Sequence, residues 1–448
     1  VASNVDQTVV AANDESPNTG ASTGNRPRQW PFLMALALLA TVAITVVLAT
    51  RKKWMAPATL DPIYLLLQRR EWSQAERQLR RYLDVHPESP ETLLLSGQIL
   101  GAKGNYVECA TRLEQMNPQV PQRVQALLFA GRAWLQAGRR REAERVWREC
   151  LAQSNSELET PVLQQQCRRM LCGIYAMERR RTELWALTAE MSQFGPPRLR
   201  HEPLAMRARF EFEMVDPQVA LAELEPAIAQ DPQDFEALRA AGLYHLEAGD
   251  SDKARAYIYR CVQENRESVP ALEAWLQCLY QTADNFGLQQ AVRELPNDAD
   301  SSAEIWKFRA IAAERDDDMP QAIAAVRRAV AIRPFEAELH HRLGQYLLRT
   351  GEKEEGQAQL TRNTELQNSQ QNLRDAYDAY RRDYAQATSE QRTNIVLRLA
   401  ESYEALGHLA TALAWYRVAL SENPSHVQSM SAVERLVSGT ASEPVSDQ

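Results

Sequence analysis

The chain has 448 residues, with 51 Lys and Arg against 59 Asp and Glu for a formal charge of −8, and 44% hydrophobic residues. That length allows two or three globular domains or one solenoid, and the mild acidity carries no general nucleic-acid signature. Six Cys occur without Cys-x-x-Cys spacing and without Cys-x-x-Cys-His, which excludes the usual thiol redox and haem-attachment motifs.

Residues 1–28 are rich in Ser, Thr, Asn, Ala and Asp and hold almost no large apolar residue after Val10. Such a stretch buries too little surface to offset backbone ordering, so it reads as a disordered tail. Residues 31–50 are 20 residues without a charge. At the rise of an α-helix they reach about 30 Å, the hydrocarbon thickness of a bilayer. Trp30 and Trp54 bracket the run, and Arg51, Lys52 and Lys53 stop it, as expected of a single transmembrane helix. A cleaved signal peptide fits less well, because the preceding tail is long and the basic triplet comes at once. The surplus of Arg and Lys after the span points to a cytoplasmic location for the remainder of the chain, with the opposite, periplasmic or extracytoplasmic, topology left open.

From Ala56 onward apolar residues recur three and four apart, the period of amphipathic helices. The clearest stretch is Asn394–Pro424: one apolar run from Ile395 to Tyr403, a break at Gly407 and His408, a second run from Leu409 to Leu420, then Pro424. This is an antiparallel helix pair, its first helix stopped at Gly and its second before Pro. Upstream, Gly97, Gly131, Gly242 and Gly344 take the place of Ala400, and Gly104, Gly138, Gly249 and Gly351 that of Gly407. Ala75, Ala143, Ala220, Ala254 and Ala322 match Ala412, while Pro87, Pro196, Pro232 and Pro334 match Pro424. Units begin near residues 56, 90, 124, 165, 201, 235, 269, 303, 337 and 393. Those at 269 and 337 are degenerate: Gln-Thr-Ala-Asp replaces the first Gly turn, and Gly356 takes an Ala position.

In these positions the chain resembles the tetratricopeptide repeat family, whose pattern of Gly, Ala, aromatic residues and Pro spans 34 residues. The resemblance implies an all-α, right-handed solenoid of antiparallel helix pairs, about nine of them over residues 56–363, in addition to the N-terminal transmembrane helix. Residues 364–392 interrupt the period. With almost no Pro or Gly from Glu352 to Thr388, they read as a helical insertion, either one long helix or two divided at 368–372. A final unit and capping helix come at 393–437, and 438–448 is tail.

No nucleotide-binding, metalloprotease or nucleophile-elbow motif is present, so neither catalysis nor a cofactor is expected. His340 and His341 are adjacent on a helix and point apart, which gives no metal site. Asp316, Asp317 and Asp318 read as a turn that caps the next helix. Cys109, Cys150 and Cys261 fall where the repeat wants a small residue, and so read as buried thiols.

The resemblance further implies a protein-binding scaffold whose first helices line a concave groove. The groove positions are Arg132, Arg169, Arg209 and Arg239, with Phe129, Phe212 and Leu243 beside them, a set suited to an acidic peptide segment of a protein partner. The Lys and Asn clamp by which some relatives hold a terminal carboxylate does not recur. A second basic surface is expected at the turn edge, where Arg139, Arg140, Arg141, Arg179, Arg180 and Arg181 cluster. The function implied is a membrane-anchored scaffold for protein–protein interaction or complex assembly. The alternative is a periplasmic chaperone or envelope assembly factor.

Overall fold

The computed structural model describes residues 59–153, 160–194, 201–213 and 215–440, together with Thr41, Val42 and Thr45. The predicted span at 31–50 and both tails therefore lie almost wholly outside the described residues. Among the described residues no helix is long and apolar enough to cross a membrane. The chain divides into two compact units, residues 1–87 and 88–448.

In the first unit, α1 (Asp61–Gln68) and α2 (Trp72–Leu83) form one helix pair that buries Ile63, Ala75 and Leu79. The second unit holds α3 (Pro90–Ala102), α4 (Tyr106–Glu114), α5 (Arg123–Gln136), α6 (Arg140–Ala152), α7 (Thr160–Met177), α8 (Arg181–Phe194), α9 (His201–Phe212) and α10 (Pro217–Gln230). It continues through α11 (Phe235–Glu247), α12 (Ser251–Glu264), α13 (Val269–Gln281), α14 (Asn285–Arg293), α15 (Ala303–Arg315), α16 (Met319–Ile332) and α17 (Ala337–Thr350). It ends with α18 (Lys353–Asp383), α19 (Ser389–Ala405), α20 (Leu409–Glu422) and α21 (Val427–Thr440). All the regular elements described are helical.

The repeat residues do two separate jobs. Gly131 lies where α5 crosses α6, and a Cβ there would sit 2.3 Å from Nε1 of the fully buried Trp147. Only a missing side chain lets the indole fill that crossing. Gly97, Gly242 and Gly344 meet Leu113, Ile258 and Leu360 in the same way. The second set closes the turns: Gly104, Gly138, Gly249, Gly351 and Gly407 have φ between 75° and 92°, the left-handed region. In the units at 56, 165, 269 and 303, Arg70, Arg179, Ala283 and Asp317 occupy that conformation with φ of 56–59° despite their side chains. After Asp317, the Asp318 carboxylate accepts from the backbone N–H of Gln321 and caps α16.

Two departures from a regular stack shape the second unit. α18 is a single unbroken helix of 31 residues, with Leu366, Leu373, Ala376 and Tyr377 buried on one stripe. The helices of the unit at 201 do not form the expected pair. α9 packs against α8 and against α18 and α20, while α10 packs against α11. The pattern wants Gly at the turn between them; the chain has Val215, then Asp216 and Pro217. Leu204 and Ala208 of α9 thus join the core built by Tyr403, Trp415 and Tyr416.

Candidate partner-binding surfaces

The predicted groove arginines divide into two groups. Arg132, Arg169 and Arg209 are exposed on α5, α7 and α9, and each is engaged at the surface. Arg132 donates to Gln166 at 3.1 Å, Arg169 pairs with Glu202 at 3.0 Å, and Arg209 pairs with Glu213 at 2.8 Å. Phe129 is half-buried under Arg132, 5.9 Å from the guanidinium. Phe212 is partly covered by the chain itself: its ring lies 5.4 Å from that of Tyr377, while Tyr377 and Arg381 of α18 both reach Glu213. Arg239 and Leu243 are not groove residues. Both are buried, and Arg239 donates to the backbone oxygen of Glu178 at 2.7 Å and pairs with Glu236 at 2.8 Å. The expected placement assumed that α9 and α11 were neighbouring first helices; because α9 swings away, α11 packs its Arg239 against the end of α7 instead.

The arginines of the predicted basic turn edge are largely paired within the chain. Four of the six join helices internally. Arg140 is buried and meets the buried Glu178 at 3.1 Å, and Arg180 pairs with Glu144 at 2.6 Å and Glu183 at 2.8 Å. Arg141 grips Asp231 through two bonds of 2.8 and 3.1 Å, and Arg179 chelates Glu247 with its guanidinium 4.1 Å from the Tyr244 ring. Such bidentate and stacked geometry suits arginine and not lysine. Burial pushes the Glu178 carboxyl up to about 7, against the pull of Arg140 and Arg180 and with Asp234 adding to the rise. Burial also acts to raise Glu144, but its bonds and charge contacts with Arg180 hold it below the usual carboxylate range. Arg139 has only a loose 3.7 Å pair with Glu142, and Arg181 is exposed with no ion-pair partner among the described residues.

Two of the concavities in the second unit carry arginine and tryptophan together. One, of about 590 Å³, lies where the start of α8, the turn before α17 and the turn between α19 and α20 converge; Arg181, Trp185, Phe335 and His408 line it. The other, of about 410 Å³, is bounded by α14, α15 and α16 and was not foreseen from the sequence. α14 has only nine residues, whereas α12 and α16 have 14, so the layer of second helices is short by more than one turn. That gap uncovers the outer face of α15, where Trp306 donates its indole N–H to the Asp300 backbone oxygen at 2.9 Å. Arg309 stacks 4.3 Å from the same ring. Among the described residues no cluster of three or more His, Cys, Asp or Glu is placed to hold a metal.

A family model described as tetratricopeptide repeat matches residues 63–108 and 206–269. The chain is similar to the solved structure of MamA residues 41 to the end from Desulfovibrio magneticus RS-1, with 20% identity and a TM-score of 0.31 over 39% of this chain and 98% of that one. It is also similar to the APC/C hetero-tetramer Cut9–Hcn1, with 10% identity and a TM-score of 0.33 over 87% of this chain and 99% of that one. A comparison with curated proteins found no match.

Proposed function

We propose that this chain is a membrane-tethered repeat scaffold that gathers protein partners. The observation that carries the reading is the recurrence of one helix-pair unit, matched as tetratricopeptide repeat at 63–108 and 206–269, with the same glycine crossing at Gly97, Gly131, Gly242 and Gly344. Stacked units present a large preformed surface, so a partner docks at little ordering cost. The tether is residues 31–50, whose length and lack of charge suit a bilayer. The first-helix face of α5 and α7, with Arg132, Arg169 and Phe129, takes an acidic segment of the partner, Gln166 and Glu202 giving way to its carboxylates. Arg209 extends that face at its α9 end.

Extraction tests the tether: the full chain should stay with membranes through alkaline carbonate, whereas a chain beginning at Ala56 should be released. Release of the full chain would remove the anchor from the proposal. Crosslinking from membranes and then reconstitution with the recovered partner tests the face. Arg132→Glu with Arg169→Glu should weaken that reconstituted complex while helicity is kept, and unchanged affinity would move binding elsewhere. A reporter joined after residue 448 that works only inside, or only outside, the cytoplasm fixes the orientation.

A further inference from the structure

The slot between α14, α15 and α16 has a composition unlike the rest of this acidic chain. Three guanidinium groups border it, those of Arg293, Arg309 and Arg328, against one carboxylate, that of Asp316. Their commitments differ. Arg309 is the most enclosed, paired with Asp300 at 2.5 Å while stacked on Trp306. Arg293 is largely exposed and only loosely paired, 3.5 Å from Asp316, whose other oxygen takes a bond from Gln289 at 2.6 Å. Arg328 is exposed and has no ion-pair partner among the described residues. The floor is apolar and narrow, made by the buried Ala312, Ala313 and Ala325.

We infer that this slot is a docking site for an acidic peptide segment of a protein partner, one that carries a single bulky apolar side chain between its carboxylates. The inference rests on the scaffold reading above and adds a second surface, on the side of the second helices. With Asp300 on Arg309 and Asp316 on Arg293, the surplus positive charge is that of Arg328, and it selects the sign of the occupant. Arg328 and Arg293 stand at opposite walls, on α16 and α14, so carboxylates on either side of an anchor reach both. The alanine floor and the Trp306 ring give that anchor its pocket. Buried aromatic anchors carry most of the affinity at such sites, and flanking arginines set register and encounter rate. Arg309, stacked on Trp306 and paired with Asp300, holds that ring in place as a wall of the pocket. The slot is preformed, since it exists because α14 ends at Arg293 and the chain then turns at Pro296.

The test uses the full chain in detergent and a fluorescein-labelled nonapeptide of eight Glu around one central Leu, read by fluorescence anisotropy. Saturable binding that Arg328→Glu weakens by about tenfold and Trp306→Ala by about thirtyfold is the expected result. Arg328→Glu leaves the apolar packing intact, so it decides the matter even where Trp306→Ala perturbs the fold. Arg132→Glu with Arg169→Glu, on the first-helix face, removes at most a separate class of sites and should leave the binding that depends on Arg328 and Trp306 in place. Loss in that double variant alone would overturn the slot while keeping the scaffold reading. Equal binding of a nonapeptide with Leu replaced by Gly, or of inorganic polyphosphate at matched charge, would show a plain anion patch and overturn the inference. No binding by the unaltered chain would overturn it too, and would leave the reconstitution experiment on the first-helix face standing.

Discussion

Replacing Gly131 by Ala asks whether the repeat's glycine is there for space or for backbone freedom. In α5 the residue is helical, so Ala should gain about 1 kcal/mol of helix propensity. The new methyl, however, would lie 2.3 Å from Nε1 and 2.5 Å from Cε2 of Trp147, a ring held at 0% exposure with its N–H donated to the Leu128 oxygen at 3.2 Å. Overpacking of this kind costs about 1–3 kcal/mol, and two ring atoms at that range put it at the upper end. The expected net loss is about 1–2 kcal/mol. Trp147→Ala alone should cost about 3–5 kcal/mol. Once the ring is gone the three atoms nearest the methyl at 131 are gone with it, so Gly131→Ala in the Trp147→Ala background should be neutral or stabilising by up to about 1 kcal/mol. The effect of one methyl therefore changes sign with its partner. Gly104→Ala is the contrast: nothing lies within 4 Å, but φ is +83°, so about 1 kcal/mol is lost with or without Trp147. Native-state hydrogen exchange on α5 and α6 amides measures these local stabilities without assuming one global transition. Additive losses for Gly131→Ala and Trp147→Ala would refute the space argument.

Arg207 is buried beside Glu211, with its guanidinium 4.7 Å from the Trp185 ring and 5.7 Å from that of Tyr403; Arg207→Met should cost about 3–5 kcal/mol and deprotect amides of α8, α9, α19 and α20 together, with little change at α5. Ala283→Gly should raise stability by about 0.5–1 kcal/mol, because it relieves a φ of 56°, and a lowered melting temperature would count against the strain. The native Glu178 carboxyl titrates near 7 instead of its ordinary 4.5, so the native state binds more protons than the unfolded chain between those values. Its contribution is then full below about 4.5 and is lost as pH rises through 7; urea midpoints at pH 5 and 8 should differ less in Glu178→Gln, and an unchanged difference would assign the pH dependence to Asp234 or Glu144. Burial raises Cys109 to about 11 and Cys172 and Cys261 to about 12, so maleimide at pH 8 should label these thiols only after denaturation.

The features legible in the sequence are those that depend on one helix pair at a time. Gly at the crossing, Gly at the turn and the aromatic that fills the gap are all within about one repeat of each other, and they recur. The six arginines of the turn edge were legible as a cluster but not as an internal junction. Asp231 and Glu247, the partners of Arg141 and Arg179, lie 90 and 68 residues further along the chain. Val215 stands at the turn position that Gly holds in some units and Arg70, Arg179, Ala283 and Asp317 hold in others, so by itself it does not say where the chain goes. The slot at Trp306 was hidden for a related reason. Pro296 and the Gln-Thr-Ala-Asp turn mark the unit at 269 as irregular, but the width of the gap depends on how α14 and α16 are spaced by α15.

The departure of α9 also sorts the two candidate surfaces by the helices they require. Glu213 on the chain just after α9 is held by Tyr377 and Arg381, and Glu211 by Tyr403 at 2.6 Å, so α18 and α19 lie over the Phe212 end of the first-helix face. A ligand on Arg132 and Arg169 that extended to Phe212 would have to displace those contacts. They are hydrogen bonds and ion pairs around a buried arginine, an arrangement that fixes register more than it stabilises. Binding that reached Phe212 would then be coupled to how firmly the C-terminal helices sit on α9, and a partner with higher affinity for the lifted state would shift that equilibrium. The slot between α14 and α16 is built from residues 289–328 alone. Its occupancy should be indifferent to Arg207→Met, whereas occupancy of the first-helix face out to Phe212 should not be, because only that face borrows the C-terminal helices.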